Sequence, residues 1–162
     1  MAGSMGYNIV PGAIQTTSAT PLTANDCLFI KSGATRNVGL QAAWMVGRGA
    51  GLNVASGITL RLEKWTTTAS SGGTGVTPAP SDPGYQAAKH TAGYAAATVT
   101  SGTGGPTFIG SLGSGATGPT AYVAPTPGLM HILEGAATMS IDAFCVSGTA
   151  SLSFEEWLQT LE

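Results

Sequence analysis

The sequence predicts an all-β fold, a sandwich or a barrel with long crossing loops, and three observations carry that expectation. Apolar and polar residues alternate with a period of two along several stretches, as half-buried strands require. The stretches are short and separated by turn clusters rich in glycine and proline, of which the 162 residues hold 24 and 9. Helical periodicity is nearly absent. Nothing in the composition divides the chain into halves of different character, so one domain is expected over residues 1–162.

Each element follows from its own pattern. The run CLFI, between Asp26 and Lys31, and the segment GLMHIL are short apolar blocks, expected as strands covered on both faces. In NVGLQAAWM, the alternation groups Val38, Leu40, Ala42 and Trp44 on one face and Gly39, Gln41 and Ala43 on the other. In GITLRLEKW, Ile58, Leu60 and Leu62 point inward, while Thr59, Arg61, Glu63 and Trp65 point outward, which makes Trp65 an exposed aromatic on a polar face. Met139, Ile141, Ala143 and Cys145 alternate with Ser140, Asp142, Phe144 and Val146; Leu152, Phe154 and Leu158 alternate with Ser153, Glu155 and Trp157.

Between the strands lie GRGAG at 47–51, ASSGGTG at 69–75, TSGTGGP at 100–106, GSLGSGATGP at 110–119 and APTPG at 124–128. The segment GVTPAPSDPGYQAAKHTAGYAA, residues 75–96, is read as a long crossing. Pro78, Pro80 and Pro83 each lack a ladder donor, so the segment is no central strand. QAAKH is expected to make at most one helical turn.

Composition and motifs exclude several function classes. The formal charge is −2 and the 6 basic residues are scattered, so no stripe exists to neutralise a row of phosphates, and nucleic-acid binding is not expected. No apolar run approaches the ~20 residues that span a bilayer, and the opening MAGSMGYNIVPG lacks the regions of a signal peptide. No membrane partner is expected, and synthesis in the cytoplasm is. Cys27 and Cys145 are then expected as small buried thiols, since cytoplasmic thiols stay reduced, with a disulfide between them the less favoured alternative.

No cofactor or metal is expected either: two cysteines, and the distant His90 and His131 with Asp82 or Asp142, lack the close spacing of metal ligands. Asp82, Lys89 and His90 fall within one short span, but an aspartate before proline in a turn bonds to nearby backbone. Asp142 reads as a solvated or hydrogen-bonded carboxylate. Glu155 and Glu156 are adjacent in a strand and point to opposite faces, so they form no carboxylate pair. GRGAG precedes no helix pattern, and no Gly-x-Ser-x-Gly elbow occurs. No catalytic residue is assigned, and no enzyme is expected.

The stretch ITLRLEKWTTTASSGGTGVTPAPSDPGYQAA combines a strand carrying an arginine, a Thr-rich glycine loop, then TP, then DP followed by small residues. With FIKSGATRNVGLQAAW upstream and GLMHILEG and SLSFEE downstream, it resembles small structural proteins encoded beside the capsid genes of tailed phages. The resemblance implies a jelly-roll-like antiparallel β-sandwich with long Gly/Pro-rich loops. It further implies a head decoration, or cement, protein on the outer capsid surface of the virion, trimeric, with the major capsid protein and its own copies as partners.

Aromatic and apolar residues then become the candidate contact set. Trp65 beside Arg61, and Trp157 beside Leu158 and Leu161, stand where a lone monomer gains little by exposing them. The alternative is that Trp65 folds over a sheet edge and Trp157 closes the core. MGYNIVPGAIQ, with Tyr7 and Ile9, and EEWLQTLE are candidates for terminal arms, within 1–15 and 155–162, that reach a neighbour. A second function is a carbohydrate- or receptor-binding sandwich that stacks sugars on Trp44, Trp65 or Tyr85.

Overall fold

The computed structural model describes residues 5–12, 15–16, 27–48, 58–66, 70–94, 107–114, 120–126, 130–135, 139–147 and 153–162. Among these, all regular structure is β: β1 (Gly6–Ile9), β2 (Gln15–Thr16), β3 (Cys27–Lys31), β4 (Val38–Arg48), β5 (Ile58–Trp65), β6 (Thr74–Val76), β7 (Ala79–Pro80), β8 (Thr91–Tyr94), β9 (Thr107–Ser114), β10 (Thr120–Val123), β11 (His131–Leu133), β12 (Ser140–Ser147) and β13 (Ser153–Leu161). The turn cluster at 100–106, and parts of those at 47–51, 69–75, 110–119 and 124–128, lie outside the described residues; GSLGS at 110–114, expected as turn, is instead the end of β9.

The strands form two antiparallel sheets. The first runs β10-β4-β13-β1-β7, with β11 also on β4 and β2 on β13; the second runs β6-β8-β3-β12-β5-β9. The pairing is nested along the chain: β1 with β13, β3 with β12, β4 with β10 and β5 with β9. Successive pairs alternate between the sheets. β6, β7 and β8 fall in sequence between β5 and β9.

The sheets share one core. Ile9, Val38, Leu40, Met45, Phe154 and Leu158 enter it from the first sheet, and Leu28, Ile30, Leu60, Leu62 and Ile141 from the second. The expected inward set on β5 is therefore found, as are Ile141 and Ala143 on β12 and Phe154 and Leu158 on β13. β13 is the cleanest case: its residues alternate between half-buried and buried along all nine positions. Glu155 and Glu156 fall on opposite faces as expected, Glu156 buried and Glu155 half-buried.

The alternation expected for β4 holds only in part. Ala42 pairs with Gln159 and Leu40 with Thr160, which leaves Gln41 as an extra residue on β4. A bulge of this kind re-aims every side chain beyond it. Val38 and Leu40 face the core, but past the bulge Ala43 and Met45 do, and Trp44 turns to the outer face. The Gln41 carbonyl is not wasted, for it accepts the Ala124 amide at 2.8 Å.

Other expectations are corrected as well. The segment 155–162 is no arm: it belongs to β13, which lies between β4 and β1. Residues 6–9 are no arm either, since β1 pairs with both β13 and β7. GLMHIL is not covered on both faces, because Ile132 is 41% exposed. QAAKH makes no helical turn. The prolines act as expected, with Ala79–Pro80 forming a two-residue edge strand on β1. Gly72 and Gly73, at φ 77° and 71°, supply the left-handed turn before β6 that other residues adopt only with strain.

The position of β13 gives a direct test. Leu158→Ala should lower unfolding free energy in urea by about 2–5 kcal/mol, the usual cost of emptying a core site. Leu161→Ala, on the outer face of the same strand, should cost well under half as much; equal losses would contradict the assignment of faces.

Candidate functional site

The outer face of the first sheet is built in rows that follow the strand register. Ile132, Gly39, Leu161 and Gly6 form one row; Val123, Ala42, Gln159 and Asn8 the next; Ala121, Trp44 and Trp157 a third. Trp44 and Trp157 are directly opposed on β4 and β13, and their rings stack, with centroids 5.9 Å apart and 12° between planes. Val123 is 59% exposed. The outward charges of these paired strands are Arg48 and Glu155, and they cancel: Nη2 and Nε of Arg48 donate to Glu155 Oε2 at 2.6 and 3.1 Å.

The described part of this face is thus close to neutral, with Ile132, Leu161, Val123, Trp44 and Trp157 among its side chains. At one end, Asn37, Gly39, Met130, Ile132, Leu161 and Glu162 line an open cleft of about 160 Å³. Exposed apolar surface of this extent is a contact feature more often than an accident.

A polar cluster closes the sandwich beside Tyr7. The His90 ring is buried; its Nδ1–H donates to Glu162 Oε1 at 2.5 Å, and Nε2 accepts the Thr160 hydroxyl at 3.1 Å. The same Glu162 oxygen accepts the amides of Lys89 and His90 at 2.8 and 2.9 Å. Tyr7 meets the imidazole edge-on at 5.5 Å and donates its hydroxyl to the Gln86 carbonyl at 3.0 Å. Hydroxyl, imidazole and carboxylate stand in the order of a hydrolase relay, but Thr160 is fully buried and offers nothing to a substrate. The cluster instead fastens the 81–90 crossing to β13 and β1.

Burial pulls His90 below its ordinary range, although the Glu162 carboxylate acts against it. Burial acts to raise Glu162, but the His90 ring and the two amides outweigh it and hold the carboxyl below its usual range.

The outer face of the second sheet is different, because the chain covers its middle strands, while Phe108 on the edge strand β9 stays 60% exposed. Ser70 lies against this face: its amide donates to Ser140 Oγ at 3.3 Å and its hydroxyl to Asp142 Oδ2 at 3.0 Å. Beneath it Asp142, Glu63 and Trp65 are all buried. Phe29 lies across Gly93, where an added Cβ would stand 2.7 Å from the ring.

The candidate contact residues therefore separate. Tyr7, Ile9 and Leu158 are inside the core and present no surface to a partner. Trp65 points outward from its sheet as expected, yet it is 7% exposed because the chain returns over that face. Arg61 is partly exposed and ion-paired with Glu63. Trp157 and Leu161 remain, half-buried, on the outer face of the first sheet. The parity that grouped Trp44 with Val38 and Leu40 fails at the bulge, and it concealed the place of Trp44 beside Trp157.

Asp82 forms its turn, accepting the Gly84 amide at 2.8 Å, and is not among the partners of His90. Asp142 is hydrogen-bonded and buried, not solvated. Among the described residues no group of three or more His, Cys, Asp or Glu could hold a metal ion. The side chains of Cys27 and Cys145 lie outside the described residues; the register sets Cys27 opposite Phe144. Compared with protein-family models, with curated proteins and with solved structures, the chain matches none.

The polar cluster sets a pH dependence. Folded His90 and Glu162 bind their protons less readily than the unfolded chain, so their contribution is present above each ordinary pKa and lost on acidification. The histidines should give stability in urea a limb that falls as pH drops below 6.5, set against the opposite slope of Asp142, whose carboxyl, raised to about 7, favours the fold as pH falls. His131 has a shift of the same sign, so His90→Gln should remove part of that limb and the further change His131→Gln the rest. An unchanged limb in the double variant would assign it to other groups.

Proposed function

We propose that the protein is a jelly-roll decoration subunit that binds the outer surface of a tailed-phage head and cements neighbouring capsomers. The nested pairing supports the jelly-roll reading: β1-β13-β4-β10 in one sheet and β3-β12-β5-β9 in the other is the order produced by rolling a long hairpin. Viral capsid and lectin domains both use this architecture. The resemblance of the sequence to phage structural proteins selects between them.

One observation carries the adhesive role: the neutral, apolar and partly exposed outer face of the first sheet, with Trp44, Trp157, Val123 and Ile132. Small and apolar groups on a pleated surface approach another backbone at modest desolvation cost. Copies arranged by the symmetry of a shell, associating as trimers, convert weak single contacts into a durable lattice. The partners are the major capsid protein and further copies of this chain, the location is the virion surface, and no catalysis is involved. A saccharide-binding role is the second reading, favoured by the aromatic pair on an open face; Trp65 takes no part in it, being buried.

Co-sedimentation with undecorated heads tests the proposal. Val123→Glu with Ile132→Glu should leave circular dichroism unchanged and weaken head binding at least about tenfold. Phe108→Glu, outward on β9 of the other sheet and 60% exposed, should leave it intact. Failure of the unaltered protein to bind heads, with strong saccharide binding on a glycan array, would replace the first reading by the second.

A further inference from the structure

The covered outer face of the second sheet holds a lysine, an aspartic acid and a glutamate on three adjacent strands. Asp142 on β12 is directly opposite Phe29 of β3 on one side and Glu63 of β5 on the other. Lys31 pairs with Ser140 and is the diagonal neighbour of Asp142, a separation that long side chains bridge. Its Nζ leans back along β3 over the Phe29 ring, 5.7 Å from the centroid, and so toward the residue that faces Asp142.

The two oxygens of Asp142 differ. Oδ2 accepts the hydroxyls of Ser70 at 3.0 Å and Ser140 at 3.1 Å. Oδ1 is buried with no hydrogen-bond partner among the described residues, a costly arrangement for a carboxylate. Burial pushes the carboxyl up to about 7, with Glu63 acting in the same direction and the two serines and Lys31 against it. The acid form is therefore well populated near neutral pH, which removes the charge from the unpartnered oxygen. Glu63, buried beside it, is ion-paired with Arg61. Phe29 and Trp65, both buried on this face, keep water away.

We propose that Lys31 and Asp142 join in an intramolecular amide bond, with Glu63 moving the protons. The Glu63 carboxylate takes a proton from the Lys31 ammonium, and the free amine attacks Cγ of the neutral Asp142. Charge develops on Oδ2, where the Ser70 and Ser140 hydroxyls already donate, in the manner of an oxyanion hole. Oδ1, the oxygen that nothing holds, leaves as water. Of the two protons the nitrogen gives up, one departs in that water and the other remains on Glu63 and passes to solvent. No oxidant, metal or activated donor is required. Proximity within one folded chain supplies the effective concentration that an uncatalysed amide synthesis lacks, and the bond would tie β3 to β12 covalently.

Mass spectrometry of the intact, denatured protein after overnight incubation at neutral pH reads the outcome directly. The unaltered chain should be lighter than its sequence by one water, and a protease digest should contain a branched peptide joining residues 31 and 142. Lys31→Arg, which keeps the charge on a half-buried side chain, should restore the full mass with an unchanged circular dichroism spectrum. Glu63→Gln should slow the loss of water, and Asp142→Asn should expel ammonia in its place. A full-length mass in the unaltered protein, or a water lost equally from Lys31→Arg, would overturn the proposal.

Discussion

One layer of apolar side chains, supplied from both sides by two antiparallel sheets, is the constraint on which the rest of this structure depends. Every strand must keep its inward positions apolar, and the nested pairing fixes which strands share a row. Strands near the two ends of the described chain thus meet at the centre of the first sheet, where β13 lies between β4 and β1. The central strand cannot slip by one residue without sending Phe154 and Leu158 to solvent. The same rigidity lines up Trp44, Trp157, Val123 and Leu161 on the opposite side.

Alternation was legible wherever a strand runs without interruption. The inward set of β5 (Ile58, Leu60 and Leu62), that of β12 (Ile141 and Ala143) and that of β13 (Phe154 and Leu158) could be read by counting in twos. Counting fails at Gln41, because a bulge depends on what the neighbouring strand pairs with and leaves no mark in the strand itself. Trp44 was therefore grouped with Val38 and Leu40, which face the core, and its pairing with Trp157 was not legible.

Burial of the polar groups was beyond local reading for a different reason. Asp82 was legible as a turn residue because its partner is two positions away. His90 and Glu162 are 72 positions apart, and Ser70 and Asp142 are again 72 apart, so neither contact has a signature in either segment. Trp65 points where its parity says, yet whether an outward residue meets water depends on which segment returns over that face. The exposure expected of it came from treating the sheet as if nothing crossed it.

The two outer faces differ in a way that a freely soluble domain would not require. Lys31, Arg61, Glu63 and Asp142 all sit on the outward side of the second sheet, where the Ser70 segment lies against them. Among the described residues, the outward side of the first sheet has one pair of strand charges, Arg48 and Glu155, which neutralise each other. Charge is concentrated where the chain screens it and is scarce where solvent has access, the reverse of the usual distribution. The open face is consequently the more weakly hydrated of the two, and a partner that displaces its water has few ionic groups to strip. The adhesive role we propose needs that low desolvation cost, and here it follows from where the crossing segment lies.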